Sequence, residues 1–139
     1  MARASYDAPI LLASRSPRRA ELLRQAGIPF EQGLYPDVDE SVPEGRSAPR
    51  EIVELLATRK AAAVVPRAPD RVVLTADTLV VLGDRSLGKP ADADDARAML
   101  RALSGATQVV VTGVAVAGPG PGGPLLRSGC AETRLTFRD

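Results

Sequence analysis

Strands and helices alternate along this sequence, and three stretches predict it. ILLASRSPRRAELL (10–23) reads as a short buried strand, a tight polar turn and a helix. RVVLTADTLVVLG (71–83) has the β-branched and leucine content of a central strand buried on both faces. Further on, Ala96, Met99, Leu100 and Leu103 fall at the i, i+3, i+4 and i+7 positions of an amphipathic helix.

In the first stretch Ile10 to Ala13 make the strand. Ser16 is the N-cap, and Pro17 takes the first helical position, where a missing N–H costs nothing. Leu22, Leu23 and Ala26 supply an apolar face, and Gly27 is a left-handed stop. Arg18 and Arg19 are the oddity, because the first turn carries the positive pole of the helix and usually holds acids. An anion between them and the free N–H groups of the turn accounts for the pair. Two solvated arginines account for it equally, at a cost of about a few tenths of a kcal/mol.

After Gly27, Phe30 closes a short strand, and an aperiodic stretch carries Asp37, Asp39 and Glu40 in DVDE. Closely spaced loop carboxylates suit Mg²⁺ or Mn²⁺, which keep several waters and take one or two protein carboxylates. Acidic loop residues are more often simply solvated, and DVDE alone favours that reading. A second helix begins at Ser47 or Ala48, with Pro49 in its first turn and Ile52, Val53, Leu56, Ala57 and Ala63 at helical spacing. Arg59 and Lys60 fall late in it, where the dipole favours cations, a sufficient structural reason for Lys60. Pro66 and Pro69 close the segment.

Asp77 is the exception within the strand-like run, which could bend into a second strand. An ionised carboxylate in apolar surroundings is costly unless it is paired, hydrogen-bonded or metal-bound. Thr75 and Thr78 could hold it structurally, yet a lone acid in the core strand of a chain without His points to function. The chain then turns at Gly83 and Asp84 and presents Gly88-Lys89-Pro90. Lys89 lies on a loop stiffened by Pro90, with no helix terminus to explain it. GKP is not a phosphate-binding P-loop, for it lacks the upstream glycine spacing and the following Ser or Thr. Asp92, Asp94 and Asp95 read as capping of the third helix, its apolar stripe reads as core, and Gly105 ends it. QVVVTGVAVAG (108–118), the turn PGPGGP and a last strand from Leu125 to Phe137 complete a hairpin.

A chain of 139 residues makes one domain, 1–139, able to bury about two thirds of its unfolded surface. Aromatic residues are only 3%, with no Trp, so the core is built from Ala, Val and Leu. A net charge of +1 argues against a broad nucleic-acid footprint. No run approaches membrane-spanning length, and the N-terminus lacks a signal-peptide layout. One cysteine, Cys130, excludes an internal disulfide and fits a reducing cytoplasm. The absence of His excludes Ser-His-Asp and Cys-His nucleophiles and any His-ligated metal. Catalysis must then use carboxylates, Lys, Arg and hydroxyls, and any metal that assists them is expected to be a hard, oxygen-loving one.

In order, ASRSPRRAELLRQAGIPF, DVDE, LATRKAAAV, ADTLVVL, GKPADADDARAMLRALSG and VTGVAV resemble the Maf family of nucleoside triphosphate pyrophosphatases. The ordered set covers nearly the whole chain and is specific where each motif alone is not. SPRR together with ADT resembles the branch acting on dTTP and UTP. The resemblance implies an α/β fold, an elongated mixed β-sheet flanked by helices with a central cleft. It also implies hydrolysis of a nucleoside triphosphate to the monophosphate and pyrophosphate, aided by Mg²⁺ or Mn²⁺, in a possible homodimer. Asp77 matches the family's proton acceptor, and Arg18 and Thr78 match positions that select the base. Ser14, Ser16, Arg19, Lys60 and Lys89 match polar residues of the phosphate cleft, and Glu40 matches a metal ligand shared with Asp77. At Glu40 and Lys60 the resemblance replaces the solvated and dipole readings.

Two departures accompany it. Gln108 stands where family members often have His. The family pattern also continues for about another third of its length, with further strands, a base-selecting glutamine and a glycine-rich closing segment. The expectation is a chain incomplete at its C-terminus. A catalytically inactive nucleotide-binding fragment or interaction module therefore stands as the alternative to an enzyme, as does an unstable remnant.

Overall fold

A computed structural model describes residues 8–41, 48–83 and 91–138, and the backbone alone of 85–87. Ser47, Asp84 and Gly88-Lys89-Pro90 lie outside the described residues. Strand β1 (Ile10–Leu12) leads into helix α1 (Pro17–Gln25) as the sequence dictates: Ser16 is extended, and its Oγ accepts from the Arg19 N–H at 3.3 Å. Gly27 follows at φ 71°, the left-handed stop. The inward face of α1 differs from the predicted one. Its buried residue is Ala20, whereas Leu22 is exposed. Two residues make about 200° of helical rotation, so a helix that turns Ala20 inward turns Leu22 out.

Strand β2 (Phe30–Gln32) precedes the long helix α2 (Pro49–Val64), a 3₁₀ turn at Val65–Arg67 and strand β3 (Val73–Leu82). A short β4 (Arg85–Leu87), helix α3 (Ala93–Leu103) and the hairpin β5 (Thr107–Gly118) and β6 (Leu125–Thr136) complete the chain. The strands form one sheet in the order β2-β1-β3-β5-β6, with β4 against the end of β3. β1 runs parallel to β2 and β3, and the other pairs are antiparallel, so the sheet is mixed and the class α/β.

Helix α2 packs on β3 and β5 and, among the described residues, supplies more of the core than any other element. Val53, Leu56, Ala57, Ala61 and Val64 are buried, whereas the predicted Ala63 faces solvent and Ile52 borders the cleft. Two small clusters result: Leu11, Ala13, Val64 and Val73 on one side, Ala57, Ala61, Ala115 and Ala117 on the other. With so few aromatics, close approach replaces bulk. It is tightest at Gly113, where a Cβ would overlap the Val53 carbonyl group and the Glu54 nitrogen.

Two burial expectations fail. Only the first half of β3 is buried, at Val73, Thr75 and Ala76; from Asp77 onward it opens to the cleft and to β4. Helix α3 is capped as predicted, with the Asp95 N–H donating to Asp92 Oδ1 at 2.7 Å, but none of its residues is buried and Leu100 is exposed. Periodicity encodes an apolar stripe without encoding what covers it. Gln108, at the His-like position, is 2% exposed. With its amide nitrogen facing them, it donates to the carbonyls of Ala106 (3.2 Å) and Leu135 (2.8 Å), which ties β5 to β6.

Candidate active site

Four segments meet at a cleft of about 1120 Å³. The β1–α1 turn and the helix start that follows it supply Ser14, Ser16 and Arg19, the β2–α2 connection Glu40, α2 Lys60, and β3 Asp77 and Thr78. All seven are predicted site residues. Arg18 is exposed and is not among the residues lining the cleft. Lys89 lies outside the described residues.

Lys60 organises the floor. Its Nζ donates to Asp77 Oδ1 at 3.0 Å and to the Ala76 carbonyl at 3.3 Å, and lies 3.9 Å from Glu40 Oε1. The helix dipole does not account for this lysine, because the last turn of α2 holds no basic residue and the dipole's effect is confined to that turn. The Lys60 and Asp77 side chains are 17% and 14% exposed, so the pair is largely sheltered from screening. The threonines leave Asp77 to Lys60. Thr75 Oγ1 donates to the Ala57 carbonyl at 2.6 Å, fastening α2 to β3, and Thr78 turns to Arg19 and Thr112.

The arginine pair separates by role. Arg19 reaches across the turn, Nη1 donating to Ser14 Oγ at 2.9 Å and Nη2 to Thr78 Oγ1 at 3.1 Å. Burial lowers its pKa and the Asp77 charge opposes that shift, so a guanidinium that stays charged faces the cleft. Ser14 is 8% exposed. Its Oγ also accepts from the Ser16 N–H at 3.3 Å, and its carbonyl accepts from Gln32 Nε2 at 2.6 Å.

Glu40 and Asp77 are hard oxygen donors that approach the same ammonium. Among the described residues no group of three or more Asp, Glu, Cys or His side chains gathers to hold a metal. Two carboxylates completed by water and phosphate oxygens nevertheless suit Mg²⁺ or Mn²⁺, and the donor chemistry here fits such an ion.

Sequence reading missed the part played by five residues. Arg15 lies over the Tyr35 ring at 4.2 Å, and both line the cleft. Leu34, just before Tyr35, adopts a left-handed φ of 51° while its side chain packs on the Leu11–Val73 cluster. Thr112 hydrogen-bonds Thr78 across the β3–β5 pair at 3.0 Å. Arg59 binds the backbone on either side of Glu40. The only local signal was Tyr35, one of two tyrosines and two phenylalanines in the chain.

Residues 9–139 match the family model described as Maf-like protein. The chain belongs to the Maf family. A relative from Pelotomaculum thermopropionicum, named dTTP/UTP pyrophosphatase, is 53% identical over 107 residues, 77% of this chain and 55% of the relative. One of the same name from Symbiobacterium thermophilum is 54% identical over 107 residues, 77% of this chain and 54% of the relative. Another of that name from Nitratidesulfovibrio vulgaris is 46% identical over 131 residues, 94% of this chain and 60% of the relative. This Maf-family chain thus spans little more than half the length of the curated relatives it matches.

Proposed function

We propose that this chain binds dTTP or UTP in the cleft and hydrolyses it to the monophosphate and pyrophosphate. The observation that carries the reading is Lys60, an ammonium held between Asp77 and Glu40 beside the Arg19–Ser14–Thr78 wall. That juxtaposition places cations for a polyphosphate next to a carboxylate able to take a proton. Asp77 orients water and accepts its proton as the oxygen attacks the α-phosphorus. The bond from that phosphorus to the bridging oxygen breaks, and pyrophosphate leaves. Arg19 and Lys60 offset charge on the phosphates, Lys89 joins them on family resemblance, and the Ser14 and Ser16 hydroxyls complete the binding wall. A divalent cation held by Glu40 and Asp77 would supply further neutralisation of the phosphates. Thr78, exposed beside Arg19, and Arg18 at the outer face of the turn are the candidates for base selection.

The net charge of +1 supports a partner other than nucleic acid, and the single cysteine supports a cytoplasmic setting. No helix of the described residues is long and apolar enough to cross a membrane. A homodimer is part of the proposal on family resemblance alone. The test is pyrophosphate release from UTP, dTTP and ATP with Mg²⁺ or Mn²⁺ and with chelator. Metal-dependent release from UTP or dTTP well above ATP supports the proposal. A second reading, binding without turnover, is favoured by the open position of Glu40, whose side chain is 67% exposed and 3.9 Å from Lys60. A nucleotide-dependent rise in melting temperature with no pyrophosphate release would select it.

A further inference from the structure

We infer that Arg59 is a positioning residue that holds Glu40 at the cleft; the inference rests on the reading that Glu40 serves the ligand there. Arg59 Nη1 donates to the carbonyls of both residues flanking Glu40, Asp39 at 3.0 Å and Ser41 at 2.6 Å. One nitrogen carries both bonds, so both of its hydrogens are committed. The Asp39 carboxylate closes the same segment from within, accepting from the Ser41 N–H and the Ser41 hydroxyl, each at 2.8 Å. Glu40 therefore has fixed backbone on both sides.

Its side chain needs that support. The Glu40 carboxylate is 67% exposed and 3.9 Å from Lys60, and an ion pair that open holds little by itself. Arg59 and Lys60 are consecutive residues of α2. One rigid helix thus grips the backbone around Glu40 and presents the ammonium that its carboxylate faces. The start of the same connection is anchored separately, by Gln32 on the Ser14 carbonyl and Arg15 on Tyr35. Arg59 governs the end that carries the carboxylate.

The test uses the full 139-residue chain, with hydrogen exchange of peptides spanning 37–41 and Mn²⁺ binding followed by electron paramagnetic resonance. Arg59→Met keeps an unbranched stem and removes the donors. It should quicken exchange in that segment about tenfold and weaken Mn²⁺ binding about tenfold, the usual effect of losing a partner behind a ligand. Arg59→Lys, which still offers several hydrogens on one nitrogen, should restore both to within about threefold. In a Glu40→Gln background, Arg59→Met should cause no further loss of Mn²⁺ affinity. If Arg59→Met does not fold, Arg59→Gln, helix-compatible but too short to span both carbonyls, replaces it. Unchanged exchange at 37–41 overturns the clamp whatever the metal does. An equal Mn²⁺ loss with and without Glu40 overturns the route through that carboxylate. A parent chain that binds no Mn²⁺ counts against Glu40 as a metal ligand and leaves exchange to decide the clamp.

Discussion

Asp77→Asn separates chemistry from architecture at this site. The amide keeps the shape of the carboxylate and removes its charge. Its oxygen can still accept from Lys60 Nζ where Asp77 Oδ1 does at 3.0 Å, and Lys60 keeps the Ala76 carbonyl at 3.3 Å and Glu40 at 3.9 Å. The stability loss is the difference between a doubly charged and a singly charged hydrogen bond, about 1–2 kcal/mol. That corresponds to a fall in melting temperature of about 4–8 °C for a chain this size. The proposed chemistry loses far more. Removing a general base costs about 10²–10⁴-fold in turnover, or about 3–5 kcal/mol of barrier. Pyrophosphate release from UTP, measured on protein whose melting curve shows it fully folded at the assay temperature, distinguishes the two losses. UTP affinity should change by no more than a few-fold. Turnover within about threefold of the parent would refute the role given to Asp77.

Arg19→Ala should weaken inorganic triphosphate binding at least tenfold by calorimetry, whereas Arg18→Ala should leave it unchanged and alter only the preference between UTP and ATP; equal losses would contradict the division of roles. Gly113→Ala should cost about 3 kcal/mol and lower the melting temperature by about 10 °C, because α2 must lift off β5. A shift under about 2 °C in a thermal scan would show that the helix has room. The Asp39 carboxyl should titrate below the ordinary aspartate value by carbon NMR, since the Ser41 N–H and then the Ser41 hydroxyl hold its charged form. A depressed folded pKa means that this added stability is present at neutral pH and fades only as pH falls through that value, below the ordinary 3.8. Titration at or above that ordinary value would contradict it.

What proved legible in the sequence was local. Ser16, Pro17 and Gly27 mark α1 because capping chemistry depends on neighbours in the chain, and Asp92 marks α3 for the same reason. The β5–β6 hairpin was equally plain, being two β-rich runs around a Gly-Pro turn. Asp77 stood out because its composition clashed with its surroundings. Lys60 did not, since a lysine late in a helix has an ordinary explanation until its partners 17 and 20 residues away are known. Arg59, Arg15 and Thr112 act through contacts that no spacing rule encodes. The stripe of α3 shows the converse limit, where amphipathicity was read correctly and burial was inferred from it where none follows; in α1 the inward face itself was misread, since Ala20 and not Leu22 turns to the core.

The way Lys60 is held sets what the cleft will accept. Its ammonium is already engaged by two carboxylates, so an incoming anion cannot simply be added to a vacant positive charge. At Lys60 it displaces Glu40, the more distant and open partner, and the released carboxylate then repels it at close range. A bare polyphosphate gains little from that exchange at Lys60 and depends instead on Arg19, whose guanidinium, among the described residues, donates only to the hydroxyls of Ser14 and Thr78. A polyphosphate carrying its own countercharge offers the displaced carboxylate a new partner, so every negative group leaves the exchange neutralised. On the proposed function, the cleft would thereby discriminate on the net charge of what enters, before any part of a nucleobase is read.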